Sequence, residues 1–145
     1  VWLGQQGLVW PRNLIPMCSP INAGYARAAT ALLDIPAAAH GYSVEPWDSW
    51  VDLPKELFRP NAWFILGGGS QAGAKPFDLM WARRLRDQVG EFGGEFFLKQ
   101  LGRHAVDNGA IYHTRDLHGG DWQEWPRDLR VRDCPHVFRH LTSAR

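Results

Sequence analysis

The sequence predicts an α/β fold, a partial (β/α) barrel of about four parallel strands with their helices, followed by an irregular C-terminal extension. Three observations predict it. Short apolar runs alternate with amphipathic and loop stretches in the order strand, helix, strand, loop, strand, helix, strand. The run "AWFIL" (62–66) is apolar at every position, as befits a strand covered on both faces of a parallel sheet. The unusual residues Glu45, Gly67 to Ser70, Lys99 and Gln100 each follow directly on such a run. In barrels and open parallel sheets alike, that carboxyl edge is where ligands bind.

Taken in order, "VWLG" (1–4) and "LIPMCS" (14–19) read as short buried strands, with a Gly- and Pro-punctuated loop between them. A chain that opens on a strand, with no Met and no polar leader, is expected to be the back part of something longer. "SPINAGYARAATALLDIP" (19–36) predicts a helix capped by Ser19 or Asn22, with Tyr25, Ala29, Leu32 and Leu33 on one face and Pro36 as its stop. "GYSVEP" (41–46) is a strand whose exit holds a carboxylate ahead of a proline, and "WDSWVDLPKELFRPN" (47–61) is an irregular connection.

After the glycines the spacing predicts the clearest helix, over about 76–92. Phe77, Trp81, Leu85 and Val89 recur every four residues, while Arg83, Arg84, Arg86 and Asp87 take the wet side. Pro76 suits the first turn, Asp78 complements the helix dipole, and Gly93-Gly94 closes the far end. "EFFLKQ" (95–100) is the next apolar strand. Residues 1–103 therefore read as the partial barrel, and 104–145 as an irregular, Trp-rich extension that packs Trp122, Trp125, Leu129 and Val131 back onto it.

Composition bounds the function. With 145 residues, 45% hydrophobic and 21% charged, the chain suits one domain with a core. A net charge of +1 gives no global field to recruit nucleic acid or anionic lipid. No apolar run approaches the roughly 20 residues that cross a bilayer, and a cytoplasmic location is expected. Two cysteines, Cys18 and Cys134, cannot make a disulfide framework and read as inert thiols. Eight tryptophans are many for this length and imply a filled core or a binding surface.

The stretch "AWFILGGGSQAGAKP" (62–76) admits several readings. A Walker A loop fails, because Ala74 stands where its lysine must be. A dinucleotide fingerprint fits the letters Gly67, Gly69 and Ala72, but the helix begins too late for its N-terminus to meet a pyrophosphate. A more general reading is a backbone nest for an anion, with Lys75 adding charge. The plain alternative is a sharp turn between strand and helix.

Glu45 is the carboxylate to single out, as a proton carrier or as a binder of a hydroxyl or amine. A structural salt bridge to Lys99 or Lys75 is the alternative. Lys99 and Gln100 leave an apolar strand in succession, so one is expected to point inward and the other sideways. Cys134, His136 and His140 are too few and too scattered for a zinc site, and no nucleophile elbow supports a serine triad. Arg127, Arg130 and Arg132 beside aromatic residues are a weak nucleic-acid candidate, diluted by Asp121, Glu124, Asp128 and Asp133.

Four stretches, "LLDIPAAAHGYSVEPWDSWVDL", "WFILGGGSQAGAKPFDLMWARRLRDQ", "FFLKQLG" and "GGDWQEWPRDLRVRDCP", resemble in the same order the phage Gp37/Gp68 family (DUF5131). "CSPINAGYA" is similar to the segment before that family's helix. The resemblance implies a radical-SAM-like (β/α) barrel that holds S-adenosylmethionine and a [4Fe-4S] cluster through cysteines near the N-terminus. It maps the family's Ser-x-Glu-Pro onto Ser43, Glu45 and Pro46, its Gly-Gly-Glu-Ser onto Gly67, Gly68, Gly69 and Ser70, and its Lys-Gln onto Lys99 and Gln100. Gly69 stands where the family usually has Glu, Leu101 stands where it has Trp, and extra residues separate "VWLG" from "CSPIN". Two cysteines cannot supply the three thiolates of such a cluster.

The expectation is therefore the C-terminal part of a radical-SAM-like protein that provides the ligand rim and does no radical chemistry alone. Catalytic candidates are Glu45 and Lys99. Candidates for holding S-adenosylmethionine or substrate are Ser43, Gly67, Gly68, Gly69, Ser70, Lys75 and Gln100. An open half barrel is expected to self-associate or to pair with a missing N-terminal half. The alternative expectation is a non-catalytic protein- or nucleic-acid-binding module that uses the Trp- and Arg-rich tail.

Overall fold

A computed structural model describes residues 9–138; the predicted strand "VWLG" and His140 lie outside the described residues. In chain order the strands are β1 (Met17–Cys18), β2 (His40–Val44), β3 (Ala62–Gly67), β4 (Phe77–Asp78), β5 (Glu95–Gln100), β6 (Ala105–Asp107) and β7 (Ala110–Ile111). The α-helices are α1 (Ala23–Ala28) and α2 (Leu79–Glu91). The main sheet has the order β1-β2-β3-β5, and every pairing in it is parallel. This is the α/β class and strand count that the sequence predicts. The main sheet's four described strands form an open sheet, and β4, β6 and β7 make a second, three-stranded one.

The register aligns the strand exits. Val44 pairs with Leu66 and Leu66 with Leu98, so β2, β3 and β5 end side by side along one lip. Tyr42, Val44, Phe64, Leu66 and Leu98 are fully buried beneath it. Burying each such side chain contributes about 1.5–3 kcal/mol, and this fixes the level of the lip. The tail covers the free side of β5: Leu98 N donates to the Val131 carbonyl at 2.9 Å and Asp133 N to the Phe96 carbonyl at 3.0 Å.

Both helices are shorter than the sequence predicts. Asn22 does cap α1, accepting from Tyr25 N at 3.0 Å, but the α-helix gives way to a 3₁₀ turn over Ala29–Asp34. The tighter winding, three residues per turn instead of 3.6, rotates the buried stripe. Ala26 and Ala29 are buried, and Tyr25, expected on the inner face, is 59% exposed. Helix α2 starts at Leu79 rather than Pro76. Phe77 and Asp78 are spent on a strand pair with β6, and Asp78 serves as N-cap to Met80 N at 2.9 Å. Leu79, Ala82, Leu85 and Val89 form its buried stripe.

The extension is less irregular than expected. Asn108 (φ 50°) and Gly109 (φ 78°) make a tight turn between β6 and β7, the Asn-Gly hairpin chemistry that left-handed backbone favours. Trp125 and Leu129 are buried in the same apolar cluster as Leu98 and Phe77, with Trp122 and Val131 half-buried against it.

Candidate functional site

Glu45 follows β2 directly and is joined to Pro46 by a cis peptide. Trp47, buried to 1% exposure, anchors the next turn by donating its backbone N–H to the Gly67 carbonyl at 3.1 Å. The Glu45 carboxylate is thereby held at the lip. Its Oε1 accepts from Ser43 Oγ at 2.9 Å and from Lys99 Nζ at 3.1 Å.

Lys99 and Gln100 depart from the expectation that one points inward and the other sideways. The β3–β5 register shifts at the lip: Leu66 pairs with Leu98, but Gly67 pairs with Gln100. Lys99 is thus the extra residue of a bulge, which re-aims side chains that an unbroken strand would send to opposite faces. Both now line one pocket, and Gln100 Nε2 donates to the Gly68 carbonyl at 2.8 Å.

The glycines are required by close approach. A Cβ on Gly67 would stand 3.1 Å from Glu45 Oε2, so a side chain there would displace the carboxylate. A Cβ on Gly68 would run into the Leu101 carbonyl. The loop lies backbone to backbone on residues 101–103, with Gly68 N donating to the Gln100 carbonyl at 3.2 Å and Arg103 N to the Gly69 carbonyl at 2.8 Å.

The resulting cavity, about 390 Å³, is lined by Ser43, Glu45, Gly68, Gly69, Ser70, Lys99 and Gln100, joined by Ser19, Pro46 and Gln71. Gly67 is buried directly behind Glu45. Lys75 is a correction: it is exposed and outside the lining, because the chain has already turned away toward β4. Ser19 was missed although it follows the apolar residues of β1, the same rule that singled out Glu45. His118 was missed as well; its Nδ1 lies 3.2 Å from the Ser70 carbonyl, brought there by a loop 48 residues away in sequence with no local signal.

The tail arginines do structural work. Arg130 donates to the carbonyls of Trp125 (3.2 Å) and Gln123 (2.6 Å). Arg132 donates to those of Leu98 (3.2 Å) and Lys99 (2.9 Å), and its guanidinium lies over the rings of Phe97, Trp122 and Trp125. Arg127 is exposed. Arg83 bridges Asp107 at 2.7 Å and Asp128 at 2.8 Å, which lowers the Asp128 carboxyl below its ordinary range and ties the extension to α2.

Cys18 and Tyr42 do not belong to the cavity lining. Burial raises the Cys18 thiol, and burial pushes the Tyr42 phenol up to about 12. Cys18 sits on the β1 edge, whereas Cys134 follows the segment that pairs on the far side of β5, so four strand spacings, roughly 19 Å, separate them. No group of three or more His, Cys, Asp and Glu suited to a metal ion occurs among the described residues. No helix among the described residues is long and apolar enough to cross a membrane.

These residues define a parallel α/β protein with a polar pocket on the carboxyl edge of its sheet, its rim carrying one carboxylate and one lysine. The chain belongs to the DUF5131 family, a family of unknown function, whose model matches residues 2–126. That span takes in all four parallel strands, the pocket and the tail as far as Pro126. No curated protein and no solved structure matches the chain.

Proposed function

We propose that this chain supplies the ligand-binding rim of a radical-SAM-like phage or prophage protein, holds S-adenosylmethionine or the substrate there, and is not catalytic on its own. One observation carries the reading: residues from the exits of three adjacent parallel strands converge on a single polar cavity. Its volume falls within the roughly 300–1,000 Å³ of small-molecule sites, and ligands of parallel sheets bind at this edge.

The residues present fit S-adenosylmethionine and do not fit a cluster. Glu45 offers a carboxylate for an ammonium or hydroxyl, and Lys99 and Gln100 offer donors on the same cavity. When bound, the sulfonium supplies an activated carbon–sulfur bond; the chain's own part is to hold and orient it. Cys18 and Cys134, on opposite edges of the sheet, cannot ligate one cluster together. The exposed apolar side chains Leu14, Met17 and Ile21 around β1 support an open edge that a missing half or a second copy completes.

Calorimetric titration of the full chain with S-adenosylmethionine tests the reading. Saturable binding that Glu45→Gln and Lys99→Gln each weaken is the expected result. Absence of binding, or binding indifferent to both changes, overturns it. Anaerobic reconstitution with iron and sulfide is expected to leave the protein without charge-transfer absorbance.

The alternative reading, a nucleic-acid module built on the tail, has less support. Arg130 donates to carbonyls within the tail, and Arg132, though exposed, is engaged with the β5 carbonyls of Leu98 and Lys99 and with three aromatic rings; Arg127 is exposed as well.

A further inference from the structure

The carbonyls along the glycine loop are each committed to a donor. Gly69 C=O accepts the Arg103 N–H at 2.8 Å, and Ser70 C=O accepts from His118 Nδ1 at 3.2 Å. A carbonyl can only accept, so that contact sets the His118 tautomer, with the proton on Nδ1. The turn that presents His118 is braced in its own right. The Asp116 carboxylate accepts from the backbone N–H groups of His118 (2.9 Å), Gly120 (2.7 Å) and Asp121 (2.9 Å).

These commitments fix where the neighbouring amides aim. A trans peptide is planar, with its N–H opposed to its C=O. The Gly69 carbonyl shares a peptide with the Ser70 N–H, and the Ser70 carbonyl shares one with the Gln71 N–H. Each N–H therefore points away from Arg103 or His118. Those two residues stand outside the cavity lining, whereas Ser70 and Gln71 belong to it. Neither amide donates to an acceptor among the described residues. On the same cavity Lys99 presents an ammonium, and the Ser70 hydroxyl is a further donor. Glu45 Oε1, 3.1 Å from Lys99 Nζ, offsets part of that charge, so the amides must set the preference for an anion.

We infer that the Ser70 and Gln71 amides, with the Ser70 hydroxyl and Lys99, form an oxyanion subsite that takes a carboxylate or phosphoryl group of the ligand. His118 is its positioning residue, holding the peptide planes turned. The inference rests on the rim being a ligand site, and it names the chemistry of one end of it. It goes beyond a glycine nest, because the donors come from the loop's non-glycine half and the orientation comes from the tail.

The test uses the isotopically labelled full chain, titrated at constant ionic strength with inorganic phosphate and separately with acetate, and observed by amide resonances. The Ser70 and Gln71 amides are expected to move saturably with at least one anion; phosphate preference assigns a phosphoryl group, and acetate preference or parity a carboxylate. Lys99→Gln is expected to weaken that binding roughly tenfold, as loss of one charge-assisted contact implies. His118→Ala is expected to weaken it with little change in melting temperature, while Arg127→Gln leaves it unaltered. No saturable movement at those two amides, or movement that Lys99→Gln and His118→Ala leave intact, overturns the subsite. S-adenosylmethionine binding without any anion effect removes this inference alone. Anion binding without S-adenosylmethionine binding removes the cofactor reading and leaves the subsite standing.

Discussion

Lys99 Nζ lies 3.1 Å from Glu45 Oε1, an ion pair between residues 54 apart in sequence that joins the exits of β2 and β5 across β3. The structural alternative for Glu45, a salt bridge to Lys99, is therefore realised, and the question becomes whether stability is its purpose. Lys99 is half-exposed, with 52% of its side chain accessible, and a pair so open to water is worth about 0–1 kcal/mol. A double-mutant cycle through Glu45→Gln and Lys99→Met, read by urea unfolding, is expected to give a coupling energy below about 1 kcal/mol. A coupling well above that would make the pair a structural staple and weaken the case for a site.

Glycine substitutions separate close approach from mere turning. Ala at Gly68 would press its Cβ against the Leu101 carbonyl and to 2.9 Å from Phe77 Cβ, where neither the backbone nor a buried ring can move aside. Gly68→Ala is expected to cost roughly 2–4 kcal/mol. Gly90, within α2, has open space where a Cβ would stand, so Gly90→Ala is expected to stabilise by about 0.5–1 kcal/mol. Urea midpoints of the two variants should move in opposite directions; movement in the same direction would contradict the packing described for the loop.

How much of this was legible beforehand follows from what each feature depends on. Strand identity and direction depend on local apolar runs, so "YSV", "WFIL" and "FFL" were readable, and Glu45, the glycines, Lys99 and Gln100 fell on one lip as expected. The lip's geometry was not readable. Whether Lys99 and Gln100 share a side depends on a register shift against β3, and no residue within "EFFLKQ" announces it. Lys75 was misplaced because Phe77 and Asp78 look helical by spacing, yet pairing with β6 draws them out of the helix and pulls the lysine off the rim. The hairpin at Asn108–Gly109 was legible in its dipeptide and was passed over within a polar stretch.

His40 makes stability depend on pH. Its ring is 3% exposed at the start of β2, with Nε2 3.0 Å from the Ile35 carbonyl. Burial lowers its pKa below the ordinary 6.5, against the opposing pull of that carbonyl. In the unfolded chain the ring takes its proton near 6.5, whereas the folded chain holds it off to lower pH. Below 6.5 the unfolded state therefore binds more protons, and stability is lost as pH falls from there through the folded value, with nothing lost above. His40→Gln is expected to flatten the fall in urea midpoint between about pH 7 and 5. A slope unchanged by the substitution would assign the loss to other groups.

Arg132 links the tail to the site. Its guanidinium reaches the Leu98 and Lys99 carbonyls, the latter at 2.9 Å and inside the bulge that brings Lys99 to Glu45, and it lies over three aromatic rings. A planar fork can stack and donate at once, whereas a lysine ammonium cannot reproduce both, so the conservative exchange should not be neutral. Arg132→Lys is expected to cost about 1–2 kcal/mol and Arg132→Ala about 2–3 kcal/mol, with Arg127→Ala within about 0.5 kcal/mol of the parent. If the tail serves the fold and not a nucleic acid, fluorescence anisotropy with a labelled oligonucleotide should show no salt-dependent binding that Arg127→Ala abolishes. Binding of that kind, together with an Arg132→Lys variant as stable as the parent, would reverse the assignment and return the arginines to an interaction surface.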